Sequence, residues 1–499
     1  MSGKVVLDGQ NLTLGDSERV IFEGAQVEAS PDAIRMVELS HRALIRVLED
    51  DRPVYGVNTG LGKLSATRVP REELERLQVN LVRSHAAGVG NPLPEEAVRG
   101  ILLFRANSLL KGYSGVRPEL VSLLIQMLNR GVHPVIPEQG SVGSSGDLVP
   151  LGHLGLVVIG EGEAFYRGER LPGRVALERA GLAPLKLFPK EGLALLNGTA
   201  YMLSLIFLAY VLGRRAFAAA LVSTALTFQA LRGHTDPLEE RIQNVRPHPG
   251  QREVATCLRE LLEGSGLTDT YSGDVQDPYS LRCSPQILGA VLEAFWMVEE
   301  RIRVEMNSAT DNPLIFPDGV VLSGGNFHGE ILALVAEILA VALSELAASC
   351  ERRISLLLSA PDRGLPLFLS PEGGVNSGLM LLQYTAASLV AENKVLAHPA
   401  AVDSIPTSAG KEDHNSFGAT SAWKLKKIAE NAVKAVALEL LCARWAVEFA
   451  GPEKLSPATR SLYLKLAGIV PPPGEDRYLG EALEALINSV RKGEIGYGI

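Results

Sequence analysis

The chain has 499 residues, of which 46% are hydrophobic and 21% are charged, and its formal net charge is -9 at pH 7. The length and the apolar fraction predict a sizeable buried core, in one large bundle or in more than one domain. The mildly acidic balance, without any basic stretch, excludes a nucleic-acid-binding function and a polyanionic partner.

The N-terminal third combines one strand signal with helices. Residues 5–14 alternate around Asp8-Gly9 and predict a small β-hairpin. Residues 31–48 predict a helix, because Ser30 is a suitable N-cap, a proline opens the segment and apolar residues recur every three or four positions. The same periodicity predicts helices at 72–85, 95–111, 117–130, 200–232, 286–306, 329–359, 377–397, 417–450 and 477–491.

These elements predict a mainly α protein, an elongated helical bundle of long central helices with a small N-terminal hairpin and a loop-rich N-terminal half. We divide the chain into residues 1–199, which carry most of the polar loops, a central long-helix bundle at 200–450, and a C-terminal helical segment at 451–499. No repeat and no low-complexity linker separates the parts, so we expect one integrated fold.

Two apolar stretches, 200–213 and 331–358, need testing as membrane spans. The first runs directly into Arg214 and Arg215, and the second contains several charged residues, so both are predicted to be buried core helices. Their apolar residues cover most sides of each helix, which also indicates burial between subunits. We therefore expect no membrane partner.

The cysteine and histidine content bears on compartment and metals. Four cysteines stand far apart, and the start of the chain lacks an apolar signal segment, which predicts reduced thiols in a cytoplasmic protein. None of the nine histidines forms a recognisable ligand pair with another histidine or a cysteine, so no metal is predicted.

The most informative segment is a turn of small residues that contains Ser144-Ser145-Gly146. Attack of the Gly146 amide nitrogen on the carbonyl carbon of Ser144, with loss of two waters, one of them from Ser145, would leave a five-membered ring with an exocyclic methylidene. Glycine suits this reaction because it lacks a Cβ and tolerates strained backbone angles. Taken alone, such a segment is more often a flexible loop, and motifs elsewhere in the chain favour the ring.

The turn resembles the self-processed loop of the aromatic amino acid ammonia-lyases, whose 4-methylideneimidazol-5-one (MIO) arises from Ala-Ser-Gly followed by Asp. Ser144 stands where that family usually has alanine, and because the ring uses only the backbone of this residue, we expect the MIO to form from Ser144, Ser145 and Gly146. The resemblance covers nearly the whole chain, through Tyr55-Gly-Val-Asn-Thr-Gly60, Ser84-His-Ala-Ala-Gly88, Leu196-Asn-Gly-Thr199, Gln276-Asp-Pro-Tyr-Ser-Leu-Arg282, Asp311-Asn-Pro313, Gly324-Gly-Asn-Phe-His328 and Glu412-Asp-His414.

The resemblance implies roles for several residues in the reaction. Tyr55 matches a mobile-loop tyrosine that accepts the β-proton, and Tyr279 is placed with it among the catalytic residues. Arg282 matches a residue that holds the substrate carboxylate, with Gln276 and Asn197 as hydrogen-bond partners of the substrate or the ring. The family further implies a homotetramer whose active sites draw on three subunits, and no metal or diffusible cofactor.

Three further positions bear on the substrate side chain. Phe327 matches an aromatic residue beside the prosthetic group, although plain core packing explains it equally well. His85 and Glu412 match positions where the histidine-specific members carry the same residues. Glu412 would accept a hydrogen bond from the substrate imidazole, and His85 would donate to or accept from its other nitrogen. A ring without nitrogens would leave both groups unsatisfied, at about 1–3 kcal/mol each.

The implied reaction is therefore elimination of ammonia from the small molecule L-histidine to give trans-urocanate. Three departures from the histidine-specific pattern, Lys411, Ala200 and Asn415, keep an alternative open, a MIO-dependent aminomutase or a lyase for another aromatic amino acid. The fumarase and argininosuccinate-lyase superfamily is disfavoured, because the loop continues as Gly146-Asp-Leu-Val-Pro150. A non-catalytic binding module with an unmodified Ser145 is the remaining alternative.

Overall fold

The computed structural model describes residues 3–49 and 52–498, and it confirms the prediction of a mainly α protein. The helices are α1 (Leu14–Phe22), α2 (Pro31–Glu49), α3 (Leu74–His85), α4 (Glu95–Leu110), α5 (Pro118–Arg130), α6 (Leu148–Val158), α7 (Gly173–Arg179), α8 (Glu191–Leu196), α9 (Ala200–Ala230), α10 (Glu240–Val245), α11 (Pro249–Leu262), α12 (Tyr279–Arg282), α13 (Ser284–Glu305), α14 (Glu330–Leu358), α15 (Met380–Leu396), α16 (Gly418–Ala450), α17 (Pro457–Ala467) and α18 (Gly480–Lys492).

Short strands form four small sheets within the described residues. They are β1 (Val5–Leu7), β2 (Val27–Ala29), β3 (Val89–Pro92), β4 (Val132–Pro134), β5 (Pro137–Gln139), β6 (Glu163–Tyr166), β7 (Glu169–Pro172), β8 (Leu314–Ile315) and β9 (Val321–Leu322). Strands β1 and β2 pair in parallel, whereas the pairs β3–β5, β4–β6, β6–β7 and β8–β9 are antiparallel.

The hairpin predicted at residues 5–14 is wrong. Strand β1 pairs with β2 across α1, and α1 begins at Leu14, where the second strand of the hairpin was expected. The Asp8 carboxylate accepts hydrogen bonds from the N–H groups two and three residues further on, at 2.8 Å each, which makes an Asx turn. Thr13 then caps α1 by accepting from the N–H of Asp16, and this helix signal overrides the alternating pattern.

A different hairpin was missed. Strands β6 and β7 are joined by Arg167 and Gly168, whose φ angles of 51° and 80° are those of a two-residue type I′ turn. The turn is only partly signalled in the sequence, because arginine is not one of the residues that usually open it. The predicted helices at 31–48 and at the nine further segments all occur, with ends shifted by a few residues.

The chain divides into two compact units, and the division falls inside several of the long helices. The first unit combines Met1–Leu208, Glu299–Glu337 and Pro399–Trp423. Its centre is α4, in which every residue from Ala97 to Leu110 is buried, and α3, α6 and α8 pack on one another in the same unit. Most of the loops that carry the sequence-predicted site residues lie in this unit.

The second unit combines Ala209–Val298, Ile338–His398 and Lys424–Ile499. A buried ion pair links two of its long helices, because Arg353 on α14 donates to both carboxylate oxygens of Glu439 on α16 at 2.6 and 2.8 Å. Thr227 on α9 donates to the same carboxylate at 3.2 Å. A paired, fully hydrogen-bonded charge of this kind tolerates burial, whereas loss of one partner would leave the other uncompensated. The three-part division by sequence stays a prediction.

Two helical segments are long and apolar enough to cross a membrane by length and composition, namely Glu191–Ala230 and Glu330–Leu358. Their most apolar windows are 78% and 61% buried inside the protein. Core helices of large proteins pass the same test of length and composition, so these two helices are weak evidence for a membrane span.

Candidate active site

The Ser144-Ser145-Gly146 turn is built around a close approach of two backbone segments. Gly146 has a φ of +72°, and a Cβ added to it would lie 2.4 Å from the carbonyl oxygen of Gly198. The next N–H, of Asp147, donates to that same carbonyl at 2.7 Å. A side chain at position 146 would be both strained and obstructed, so this turn requires glycine there.

Asp147 joins the starts of two helices behind the turn. It precedes α6, but its carboxylate accepts a hydrogen bond from the N–H of Met202 in the first turn of α9 at 3.0 Å, and another from the Ser141 hydroxyl at 3.1 Å. Burial raises the pKa of Asp147 to about 7, against the effect of these donors. The N-termini of α6 and α9, each with a partial positive charge, therefore both lie at this turn.

Asn197 holds the carbonyl group at the centre of the turn. Its Nδ2 donates to the carbonyl oxygen of Ser145 at 2.7 Å, whereas its Oδ1 is buried without a hydrogen-bond partner among the described residues. Asn197 is 4% exposed and caps the end of α8. An unpaired acceptor in a buried amide is costly, which makes Oδ1 a candidate contact for a ligand.

Tyr55 lies in a loop that its neighbours fix by hydrogen bonds. Its hydroxyl oxygen accepts from the N–H of Gly62 at 3.0 Å. Asn58 accepts from the N–H of Val54 at 2.7 Å, and Gln78 donates to the carbonyl of Gly56 at 3.3 Å. Tyr55 itself is half-buried, so the loop presents one phenol hydroxyl in a defined position.

The ring of His85, at the end of α3, is fixed by a backbone carbonyl. Its Nδ1 lies 2.8 Å from the carbonyl oxygen of Leu81, which can only accept, so Nδ1 carries the hydrogen and Nε2 is left as an acceptor. Burial lowers the pKa of His85, opposed by the Leu81 carbonyl and by the charge of Glu412.

Glu412 accepts three hydroxyl hydrogen bonds on its carboxylate. Ser145 donates to Oε1 at 2.7 Å, and Ser144 and Thr407 donate to Oε2 at 3.2 and 2.6 Å. The neighbouring Lys411 is exposed and forms no salt bridge with Glu412 in the part of the chain that the structure describes. Glu412 is thus attached to the turn rather than to solvent or to the adjacent cation.

A cavity of about 1040 Å³ lies next to this turn in the first compact unit. Of the sequence-predicted site residues, the structure places seven on its wall: Tyr55, His85, Ser144, Ser145, Asn197, Phe327 and Glu412. Gly146 follows directly behind them in the turn. The wall also includes Lys411, which the sequence had raised only as a departure.

Three predicted site residues, Gln276, Tyr279 and Arg282, are not among those that line this cavity, and they belong to the second compact unit. Tyr279 is 69% exposed, and the Arg282 guanidinium carbon lies 4.9 Å from the centre of its ring. The Arg282 Nε is buried without a hydrogen-bond partner among the described residues. The cavity of the first unit is thus lined by only some of the predicted site residues.

Thr407 was missed by sequence reasoning. It faces Glu412 across a tight loop, since its N–H donates to the Glu412 carbonyl at 2.9 Å and the Glu412 N–H returns a bond of 3.3 Å. Ser408 and Ala409, between them, have φ angles of 52° and 53°, which non-glycine residues rarely adopt. No residue pattern signals such a turn, although a threonine five residues before an acid is compatible with it.

A group of metal-ligating side chains was also missed. His328, Glu330 and His414 each place one ligand atom within 4.8 Å of the others, and the two histidines line the same cavity. Glu330 Oε2 is buried without a hydrogen-bond partner among the described residues. No ligand spacing signals this group in the sequence, because His328 and His414 are distant along the chain. The expectation that no metal is needed stays a prediction.

Comparison with known proteins identifies the relatives of this fold and cavity. The chain matches the family described as aromatic amino acid lyase over residues 12–467. It is 49% identical to a protein named histidine ammonia-lyase from Geobacillus thermodenitrificans (strain NG80-2), covering 97% of this chain and 96% of the relative.

Solved structures agree with this match. The structure of histidine ammonia-lyase from Trypanosoma cruzi superposes with a TM-score of 0.92 at 40% identity, over 99% of this chain and 94% of that chain. A tyrosine aminomutase from Streptomyces globisporus superposes with a TM-score of 0.94 at 36% identity, over 99% and 98%. The sequence match covers most of the chain and the fold match nearly all of it, and the chain belongs to the aromatic amino acid lyase family.

Proposed function

We propose that this chain is a carbon-nitrogen lyase that eliminates ammonia from L-histidine to give trans-urocanate. One observation carries the choice of substrate: the acceptor Nε2 of His85 and the carboxylate of Glu412 line the same cavity as Ser144 and Ser145. The name histidine ammonia-lyase, carried by relatives of full length at 49% identity, supports the same choice.

The residues of the turn fit the MIO group that the family resemblance implies. Gly146 occupies a cradle that a Cβ would fill, the Ser145 hydroxyl is half-buried at the cavity, and Asn197 donates to the carbonyl that would become the ring ketone. When formed, the MIO supplies an electrophilic carbon that makes the substrate amine a better leaving group. Two helix N-termini behind the turn favour electron density in this region.

Two hydrogen-bond acceptors of the cavity would recognise the imidazole of the substrate. The Leu81 carbonyl keeps the hydrogen of His85 on Nδ1, so Nε2 of the neutral ring accepts, and the carboxylate oxygens of Glu412 accept as well. An imidazole that donates from both nitrogens, the imidazolium form, satisfies both groups. A phenyl ring would satisfy neither, and a phenol at most one.

Tyr55 is proposed as the base that takes the β-proton. Its oxygen is positioned by the Gly62 N–H at 3.0 Å, a donor that the phenol oxygen can keep in either protonation state. The hydrogen bonds inside the loop fix the hydroxyl relative to Ser145 across the same cavity.

The carboxylate of the substrate is assigned to Arg282, together with Gln276 and the catalytic Tyr279 of other subunits, in a homotetramer. Two observations support assembly. Arg282 and its neighbours are absent from the cavity wall of their own chain's first unit. Helix α14 also exposes an apolar stripe of Ile331, Leu334, Ile338 and Val341, each 37–50% exposed, which is more apolar surface than one helix of a monomer usually presents.

We also propose a cytoplasmic location, since all four cysteines are free thiols and three of them are buried. The fold is shared with a tyrosine aminomutase, so an aminomutase is the second candidate, and Lys411 in the cavity wall is the observation that favours it. The ammonia-lyase assignment is preferred because Glu412 and His85 together fit an imidazole.

The test is a panel of L-histidine, L-tyrosine and L-phenylalanine, scored by ammonia release and by mass analysis of the organic product. We expect release from L-histidine with a product lighter by one ammonia, and an isomer of unchanged mass would establish an aminomutase instead. The Ser145→Ala variant should release no ammonia and should keep the full mass of the chain. Ser461→Ala, which removes an exposed hydroxyl on α17, is the matched control and should retain activity.

A further inference from the structure

The carboxylate of Glu412 is held by two kinds of hydroxyl. The hydroxyl of Ser145, 2.7 Å from Oε1, is the one that leaves as water if the proposed ring forms. The hydroxyls of Ser144 and Thr407, at 3.2 and 2.6 Å from Oε2, are not eliminated in that reaction. Formation of the electrophile would therefore free one carboxylate oxygen and leave the other bound.

The hydrogen bonds from Ser144 and Thr407 hold the Glu412 carboxylate relative to different parts of the protein. Thr407 belongs to the same tight loop as Glu412, to which it is joined by two backbone hydrogen bonds, so it moves with the carboxylate. Ser144 comes from the turn, 268 positions away in the sequence, and is 5% exposed. Of these two, only Ser144 fixes the carboxylate relative to the turn on which the reaction takes place.

The Ser144 hydroxyl has no other hydrogen-bond partner among the residues that the structure describes. A buried hydroxyl needs a partner, and a carboxylate is the strongest acceptor within its reach. The contact therefore satisfies both groups.

We propose that Ser144 is a positioning residue that determines specificity, because its hydroxyl holds Oε2 of Glu412 so that Oε1 is turned toward the substrate imidazole. This inference rests on the proposed function. It gives a role to the serine that replaces the family's usual alanine. The side chain of Ser144 acts on Glu412, while its backbone supplies the ring.

The hydrogen bond between Ser144 and Glu412 also bears on Lys411, a second departure from the family pattern. Lys411 is exposed, lines the same cavity and is adjacent to Glu412 in the chain. With alanine at position 144, Thr407 would be the one donor left to Oε2 among the described residues, and because it moves with Glu412 it would not hold the carboxylate on the turn against the pull of the Lys411 ammonium. Ser144 keeps the carboxylate on the turn in the presence of this cation.

The test compares full-length Ser144→Ala and Ser144→Thr with the unmodified chain, using intact mass, steady-state kinetics and substrate selectivity. Both variants should lose two waters, because the ring uses only the backbone of residue 144. We expect Ser144→Ala to lower kcat/KM for L-histidine by about 10- to 100-fold, the value of one hydrogen bond to a charged group, mainly through KM. Its preference for L-histidine over L-tyrosine should fall by a similar factor, and Ser144→Thr should restore most of both.

A double-mutant cycle separates positioning from a general structural effect. If Ser144 acts through Glu412, Ser144→Ala should have no further effect in the Glu412→Gln background, and a full additional loss there would overturn the proposal. Unchanged kcat/KM and selectivity in Ser144→Ala of normal mass would also overturn it, as would failure of that variant to lose the two waters. If the unmodified chain itself loses no water or ignores L-histidine, the proposed function fails instead, which is a distinguishable result.

Discussion

The carboxylate of Asp147 accepts a hydrogen bond from the backbone N–H of Met202 at 3.0 Å, which ties the residue before α6 to the first turn of α9. Asp147 is completely buried, and it follows directly on the turn that carries the proposed electrophile. The turn is therefore connected to the first turn of α9 through a titratable group. This connection makes the stability of the turn region dependent on pH.

Asp147→Asn should reduce the pH dependence of unfolding. Burial raises the pKa of Asp147 to about 7 from 3.8, so the folded chain binds an extra proton between these values. The stabilisation by this proton is fully present below about pH 4, falls as the pH rises and is gone above about pH 7. Relative to the unmodified chain, the variant should gain up to about 4 kcal/mol between pH 4 and pH 8. Urea unfolding at pH 4 and at pH 8 measures the free energy of unfolding of each protein. The same change in this free energy between the two pH values in both proteins would contradict the prediction.

Gly146→Ala should prevent ring formation. The new methyl group would meet the carbonyl oxygen of Gly198 at 2.4 Å, and the φ of +72° would be strained, so the turn must open by more than the reaction tolerates. Intact mass should show no loss of water. Gly24→Ala is the matched control, because Gly24 has a φ of +70° with nothing within 4 Å, and it isolates the cost of the backbone angle alone.

Should Gly146→Ala still lose two waters, the close approach to Gly198 is not what makes glycine necessary. Should Gly24→Ala lose as much stability as Gly146→Ala, the backbone angle alone explains the effect. Circular dichroism melting curves of the two variants provide that comparison.

The sequence predicted the parts of this protein that depend on local patterns. The long helices follow from apolar periodicity, and Gly146 was singled out because a strained turn needs a residue without a Cβ. The parallel pairing of β1 with β2 was not predictable, since it depends on α1 returning the chain beside Val5–Leu7. At the turn that replaced the expected hairpin, the Asp8 carboxylate accepts from the N–H groups of Gln10 and Asn11, and the chain then enters α1 instead of returning antiparallel to β1.

The candidate site shows the same limit. Motifs indicated Tyr55, Asn197 and Glu412, and the fold places them on one cavity wall. The contact between Ser144 and Glu412 spans 268 positions, so no local pattern predicts it. Thr407 approaches Glu412 only because of two unusual φ angles in the loop between them. Long-range pairings of this kind are decided by tertiary packing rather than by residue pattern.

Removal of divalent metal should leave ammonia release unchanged, because the proposed electrophile and base supply both parts of the elimination without a Lewis acid. The measurement is activity after exhaustive dialysis against EDTA, with and without added Zn²⁺. A loss that Zn²⁺ restores would contradict the prediction and would direct attention to His328, Glu330 and His414, whose ligand atoms lie within 4.8 Å of one another. If Zn²⁺ restores activity, Glu330→Gln should abolish that restoration. If dialysis against EDTA leaves activity unchanged, Glu330→Gln should leave ammonia release unchanged as well.

Two inactive variants should regain activity when they assemble together, if the active site draws on different subunits. Tyr55 lies on the cavity wall of the first unit, whereas Arg282 belongs to the second unit and is not among the residues that line that wall. In the proposed homotetramer, every site of the Tyr55→Phe or the Arg282→Met protein lacks one of these groups. In tetramers assembled at random from equal amounts of both chains, about a quarter of the sites receive Tyr55 from one chain and Arg282 from another.

Coexpression with two different affinity tags, followed by purification on both, isolates the mixed tetramers. Activity near a quarter of the unmodified level is the expected result. Activity no higher than in the single variants would mean that both residues act within one chain. Separately purified variants, combined after assembly, provide the control and should stay inactive.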